Sequence, residues 1–258
     1  MSVPGHTLTN APRGAPPIVF LEVEPWEQTF LTARGPAQWR AQFYPDEADR
    51  IALERISDAE ILSVFIYSDL DAALLNRLPN LKMIATRSTG FDHIDTAFCR
   101  RKGIVVCNVA TYGANTVAEH AFGLILSLSR RIYQARARTI HGDFSFQGLQ
   151  GFDLMGKVLG VIGTGQIGRH VIRIANGFQM RVLAYDIRPD PSLAERLGFQ
   201  YAGLNDLLAQ SDVVSLHSPL KAETQHLMGR RQFEAMKKGA LLINTARGAL
   251  VDTDALLW

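Results

Sequence analysis

The chain of 258 residues, 47% hydrophobic and 20% charged, has the composition of an ordinary globular protein with room for two domains. Its net charge of +2 is too small for the field that a nucleic-acid or anionic-membrane binder uses, which leaves small molecules as the expected ligands. No apolar run approaches the ~20 residues of a membrane helix.

Residues 1–17 carry four prolines and two glycines and no apolar block of the signal-peptide kind, so they read as a mobile lead-in and the protein as cytoplasmic. Short apolar runs then alternate with amphipathic stretches. Ile18 to Val23, Ile61 to Tyr67, Leu81 to Thr86 and Ile104 to Cys107 read as buried parallel strands. Asp71 and Asp95 are placed to cap helices over 71–78 and 95–102, with Gly103 as a stop. Cys99 and Cys107 show no CxxC or CxxH spacing, so both are expected to be buried free thiols, with no metal site.

From Asn115 to about His141 the spacing predicts one long helix, its apolar face at Val117, Ala121, Leu124, Ile125 and Leu128 and its end rich in arginine. Without aromatic interleaving those arginines suit a solvated face or a subunit contact better than a nucleic-acid stripe. A second α/β unit follows, with strands at 157–162, 180–185, 212–216 and 240–243 and helices at 166–176 and near 231–237. Strands alternating with helices imply parallel sheets with right-handed crossovers.

Gly163-Thr164-Gly165-Gln166-Ile167-Gly168 has the GxGxxG spacing, follows an apolar strand and opens a helix, and Asp186 lies 18 residues past Gly168. Gly163 permits the tight turn, Gly165 lets backbone approach a pyrophosphate, and Gly168 lets helix and strand pack closely. The Gln166 and Ile167 amides face the phosphates at the positive helix end. Asp186 can accept hydrogen bonds from both adenosine ribose hydroxyls, whereas a 2′-phosphate would meet its charge, so NAD is expected over NADP; Arg188 is the contrary feature.

Five further segments carry a resemblance: Arg87-Ser88-Thr89-Gly90-Phe91-Asp92-His93-Ile94-Asp95, Asn108-Val109-Ala110-Thr111-Tyr112, Val117-Ala118-Glu119-His120, His217-Ser218-Pro219-Leu220 with Thr224, and Asn244-Thr245-Ala246-Arg247-Gly248. Together they resemble the D-isomer-specific 2-hydroxyacid dehydrogenases, most nearly the D-lactate dehydrogenase branch. The resemblance implies a flavodoxin-like substrate domain over 1–109, a Rossmann-type NAD-binding domain over 110–258, ligands in the cleft between them, and a homodimer using the long helix. It implies that the Thr89 and Gly90 amides hold the substrate carboxylate and that Arg247 clamps carboxylate and carbonyl oxygen. Tyr112 would face the substrate or be a half-buried hinge tyrosine, and Trp26 would line the same pocket or sit in the core. His217, Pro219 and Thr224 would shape the cofactor loop, with Thr245, Ala246 and Arg247 toward the nicotinamide.

The implied activity is reversible reduction of a small 2-keto acid such as pyruvate to the D-hydroxy acid by NADH. Rivals are an NAD(H)-sensing corepressor of the C-terminal-binding type, against which the D-lactate-like loops argue, and a formate or phosphite dehydrogenase of the same superfamily. The family completes its site with a glutamate and a histidine well after the arginine. The eleven residues after Arg247 hold no histidine, so the expectation is a C-terminally truncated, inactive form without the segment that returns to the substrate domain. Asp252 reads as a helix N-cap rather than a substitute acid.

Overall fold

The apolar runs fold as strands whose successive side chains go to opposite sheet faces, and both faces are covered, which is why they read as nearly continuous apolar stretches. The structure, a computed structural model, describes residues 6–7, 15–36 and 38–257. The chain divides into two units, Met1–Tyr112 and Gly113–Trp258.

The first unit contains β1 (His6–Thr7), β2 (Pro17–Phe20), α1 (Pro25–Arg34), β3 (Arg40–Phe43), β4 (Ile61–Val64), α2 (Ala72–Leu75), β5 (Met83–Thr86), α3 (Thr96–Lys102) and β6 (Val105–Cys107). Its sheet runs β1-β3-β2-β4-β5-β6, parallel except for β1. Leaving out β1, this is the 2-1-3-4-5 order of flavodoxin-like folds. Val19, Leu21, Leu62, Val64 and Ile84 build the core on one face, and Ile18, Phe20, Ala41 and Phe43 pack on the other. Asp71 and Asp95 cap α2 and α3 as expected, each accepting the amide three residues on at 2.8 Å, and Gly103 ends α3 at φ 73°.

Three expectations are corrected here. His6–Thr7, within the stretch read as a mobile lead-in, pair antiparallel with β3, and Pro17 opens β2; residues 1–5 and 8–14 of that stretch lie outside the described residues. The second apolar run stops being a strand at Val64, leaving Ile66 and Tyr67 exposed beyond its end. The last strand, β6, is a sheet edge, so Val105 and Cys107 are exposed and only Cys99 is a buried thiol.

The second unit contains α4 (Ala114–Ser129), α5 (Ile132–Thr139), β7 (Val158–Ile162), α6 (Gln166–Gly177), β8 (Arg181–Tyr185), α7 (Pro191–Leu197), β9 (Gln200–Tyr201), α8 (Leu204–Gln210), β10 (Val213–Leu216), α9 (Arg230–Ala235), β11 (Leu241–Asn244) and α10 (Thr253–Leu257). The all-parallel sheet runs β11-β10-β7-β8-β9, the Rossmann order with β7 as first strand. Leu159, Val161, Val182 and Ala184 face α4 and α6, while Val158, Ile162, Leu183 and Val214 pack with Leu207 and Leu208 of α8. The chain order reverses between β7 and β10, where open α/β sheets bind ligands outside the strands' carboxyl ends.

The single helix expected from Asn115 to His141 is two helices. Ser129 gives its carbonyl to the Phe152 amide at 2.9 Å instead of continuing the helical ladder, Arg130 pairs with Asp153 at 2.6 Å, and Arg131 turns left-handed at φ 54°. A contact from more than twenty residues downstream therefore sets the break. Leu124, Leu128, Ile132, Tyr133 and Ile140 remain exposed along this pair of helices.

Candidate functional site

The glycine loop sits at the reversal point of the second sheet. Gly163 has φ 99°, and a Cβ there would come within 2.8 Å of the His217 carbonyl, so only glycine lets the β7 and β10 ends lie this close. A Cβ on Gly168 would drive into the Gly163 carbonyl oxygen. At Gly165 the same atom would meet nothing within 4 Å, so packing does not demand a glycine there and the space beside it is open. Among the described residues the Gly165, Gln166 and Ile167 amides have no hydrogen-bond partner, and the positive end of α6 presents them together. This cradle fits a pyrophosphate.

Asp186 follows β8. Its Oδ2 accepts the Thr164 amide at 2.7 Å and the Thr164 hydroxyl at 2.9 Å, and its Oδ1 accepts the Arg188 amide at 2.9 Å. Burial pushes its carboxyl up, but those donors and the nearby Arg169 outweigh burial and hold it below the usual carboxylate value. Arg169, whose Nε donates to the Thr164 carbonyl at 3.0 Å, and Tyr201, whose hydroxyl lies 3.0 Å from Thr164 Oγ1, belong to this cluster and were not picked out from sequence. The spacing rule names the acid at the strand end but not the groups that hold it, which come from other elements.

After β10, His217 is half-buried and its Nε2 lies 2.8 Å from the hydroxyl of the buried Ser215. Pro219 is exposed, and the Thr224 hydroxyl donates to the Pro219 carbonyl at 2.7 Å and accepts the Lys221 amide at 2.8 Å. Thr224 therefore acts within the structure by closing this loop. Burial pushes the His217 ring down to about 4, so it is neutral at physiological pH. An unfolded chain, with histidine near 6.5, binds a proton that the folded ring refuses. Stability is therefore whole above about pH 6.5 and is lost as pH falls toward 4, by about 2 kcal/mol at pH 5. Urea midpoints taken between pH 7 and 5 should show this slope, and His217→Gln should flatten it; an unchanged slope would contradict the neutral-ring assignment.

At the end of β11, Asn244 organises the next turn: its Oδ1 accepts the Ala246 amide at 3.1 Å and its Nδ2 donates to the Arg247 carbonyl at 2.8 Å. Arg247 is half-buried, with Nη1 donating to the Ala246 carbonyl at 3.0 Å. Thr245 Oγ1 is buried without a hydrogen-bond partner among the described residues. Asp252 caps α10 as expected, accepting the Asp254 and Ala255 amides at 3.1 and 3.2 Å.

In the first unit Thr89 and Gly90 follow β5. The Thr89 hydroxyl donates to the Val109 carbonyl at 3.0 Å, and Asn108 donates to the Thr89 carbonyl at 2.8 Å. The buried Ser88 hydroxyl, 2.6 Å from Thr86 Oγ1, donates to the Gly90 carbonyl at 2.6 Å. Among the described residues the Thr89 and Gly90 amides donate no hydrogen bond, which leaves them directed by a loop fixed from both sides. Arg87 anchors the same strand ends by donating to the Leu21 and Glu22 carbonyls at 2.9 and 2.8 Å, and it pairs with Glu27 at 3.4 Å. Glu22, at φ 57°, turns its buried carboxylate onto the Tyr67 and Ser68 amides and the Ser68 hydroxyl. Tyr112 is 60% exposed, which removes its half-buried reading, and Trp26, on α1, is 69% exposed, which removes the core reading of Trp26.

Residues 122–258 match the model of the D-isomer specific 2-hydroxyacid dehydrogenase NAD binding domain. The D-lactate dehydrogenase of Escherichia coli is 42% identical over 200 residues, which are 77% of this chain and 60% of that protein. The glyoxylate reductase of Thermococcus litoralis is 34% identical over 92% of this chain and 70% of its own length. The solved D-lactate dehydrogenase of Aquifex aeolicus, complexed with NAD and lactic acid, superposes with a TM-score of 0.87 at 38% identity, over 93% of this chain and 72% of that one. The chain belongs to the D-isomer specific 2-hydroxyacid dehydrogenase family. Its second unit carries the family's NAD-binding domain, and the fold class is the expected pair of α/β units. The matched region spans 60% of the length of the Escherichia coli dehydrogenase and of the Haemophilus influenzae homolog. No helix among the described residues is long and apolar enough to cross a membrane.

Proposed function

We propose that the protein reduces a small 2-keto acid to the D-2-hydroxy acid with NADH, pyruvate being the first substrate to test. The observation that carries this reading is the Asn244-held turn, which presents a half-buried arginine directly after the last strand of an NAD-binding sheet. When bound, NADH supplies the hydride. Arg247, planar and always charged, takes the substrate carboxylate and carbonyl oxygen and polarises the carbonyl carbon toward attack. The Thr89 and Gly90 amides hold the carboxylate, and Tyr112 bounds the substrate. Gly163 to Gly168 bind the pyrophosphate, Asp186 the adenosine ribose, and the loop from His217 to Thr224, with Thr245 and Ala246, borders the cofactor. The family division is proposed at the hinge residues Val109 and Ala110, the substrate domain preceding the cofactor domain, and the cellular site is the cytoplasm.

Residues 1–258 supply these binding and polarising groups, and the proposal adds that none of their histidines is the proton donor. The proposal is that these residues bind NADH without efficient turnover, because lack of a general acid costs roughly 10²- to 10⁴-fold in rate. Following NADH fluorescence and absorbance with pyruvate and glyoxylate tests both parts. Binding without oxidation is the expected result; oxidation of either keto acid at an ordinary enzymatic rate would place the proton donor within these residues, and absence of NADH binding would overturn the whole reading.

The exposed apolar side chains of α4 and α5, Leu124, Leu128, Ile132 and Tyr133, support a homodimer through this face. Light scattering should report twice the 28.5 kDa chain mass, and Leu128→Glu should shift it to one chain; a monomer across micromolar concentrations would reject the proposal.

A further inference from the structure

We propose that Thr164 and Tyr201 set cofactor selectivity by holding the Asp186 carboxylate fixed and ionised toward the adenosine ribose. This rests on the reading that Asp186 faces that ribose. Thr164, between the first two glycines and 4% exposed, places two donors on one oxygen: its amide at 2.7 Å and its hydroxyl at 2.9 Å from Oδ2. The Arg188 amide occupies Oδ1 at 2.9 Å. Both oxygens are thereby held by donors from the chain while the carboxylate keeps acceptor capacity for a ligand.

Proton accounting fixes the direction of the chain. An ionised carboxylate only accepts, so the one Thr164 hydroxyl proton goes to Asp186, and the 3.0 Å contact with Tyr201 has the tyrosine as donor. Tyr201, on β9 beside the end of β8, thereby fixes the rotamer of a hydroxyl on the β7 loop. The three elements share one hydrogen-bonded line, Tyr201 to Thr164 to Asp186. Donors on both oxygens stop the carboxylate from swinging aside, so a 2′-phosphate meets a fixed negative charge. The same donors keep that carboxyl ionised against its burial.

Fluorescence titration of the protein with NADH and NADPH reads this without turnover. Thr164→Val keeps the side-chain shape and removes the donor; it should cut the NADH preference by about tenfold, since a hydrogen bond to a charged group is lost. It should also move the acid limb, where preference disappears as the carboxyl protonates, to higher pH. Thr164→Ser should restore both properties, and Tyr201→Phe should give a smaller cut in the same direction. Thr164→Val with the parent's preference and pH profile would overturn the proposal, and if Asp186→Asn erases the preference in the same series, the ribose reading stands without it. If Asp186→Asn keeps the preference, the ribose reading falls and the role of Thr164 falls with it.

Discussion

Measured on a form of the protein that turns over, replacement of Arg247 with lysine should lower kcat/KM for 2-keto acid reduction by about two to three orders of magnitude and should lower NADH affinity far less. The guanidinium offers a planar fork that spans a carboxylate oxygen and the neighbouring carbonyl oxygen, whereas a lysine ammonium is a point charge on a flexible stem. Its turn is held chiefly from Asn244, which bonds the Ala246 amide and the Arg247 carbonyl; both bonds survive the exchange, while the bond from Arg247 Nη1 to the Ala246 carbonyl is lost. The melting temperature should therefore change little, and the loss should fall mainly on substrate. Oxamate, an isostere of pyruvate that accepts no hydride, isolates the binding part: its affinity for the NADH complex should drop at least about tenfold, since bonds to a charged group are at stake. An Arg247→Lys protein with unaltered oxamate affinity and turnover would remove Arg247 from the site. Asn244→Ala gives a graded companion, because it loosens the turn while leaving the guanidinium in place.

The parts of this architecture that were legible in the sequence are those governed by neighbours in the chain. Strand β7, Val-Leu-Gly-Val-Ile, is a short uncharged run that stops before Gly163, the caps at Asp71 and Asp95 act on amides three residues away, and the GxGxxG loop needs only the strand before it and the helix after it. What stayed hidden is governed by distant partners. Nothing within residues 115–141 marks a break, because the carbonyl of Ser129 is taken by Phe152. Strand β6 has the apolar composition of a buried strand, and its exposure follows from being last in the sheet order. Strand β3, Arg-Ala-Gln-Phe, has little strand character of its own and forms beside β2, where Ala41 and Phe43 find a core. In the site, the residues carried by motifs lie on the loops where motifs place them, while their supports, Glu22, Tyr201 and Arg169, become apparent only when the strands are side by side.

The two glycines of the cofactor loop should fail in different ways when each is changed to alanine. Gly168 lies on the first turn of α6 directly beneath the loop, where a methyl group would enter the space of the Gly163 carbonyl oxygen and come within 3.1 Å of its carbon. Neither neighbour can yield cheaply. Gly163 is fixed at φ 99° against the His217 backbone, and the buried Val171 and Ile172 of the same helix hold α6 in the core. The helix must move off the strand, at a cost of about 1 to 3 kcal/mol or more, so Gly168→Ala should lower the melting temperature and abolish measurable NADH binding together. Gly165→Ala starts from open space, since its methyl meets no protein atom within 4 Å, and its backbone, at φ −66°, suits alanine. That variant should melt with the parent and still lose NADH affinity, by about tenfold or more, because the methyl occupies the path by which a pyrophosphate reaches the α6 amides. Paired thermal melts and NADH titrations separate the two effects. Parent-like NADH affinity in a well-folded Gly165→Ala protein would show that the phosphates do not lie over this glycine, and the cradle at the α6 terminus would lose its assignment.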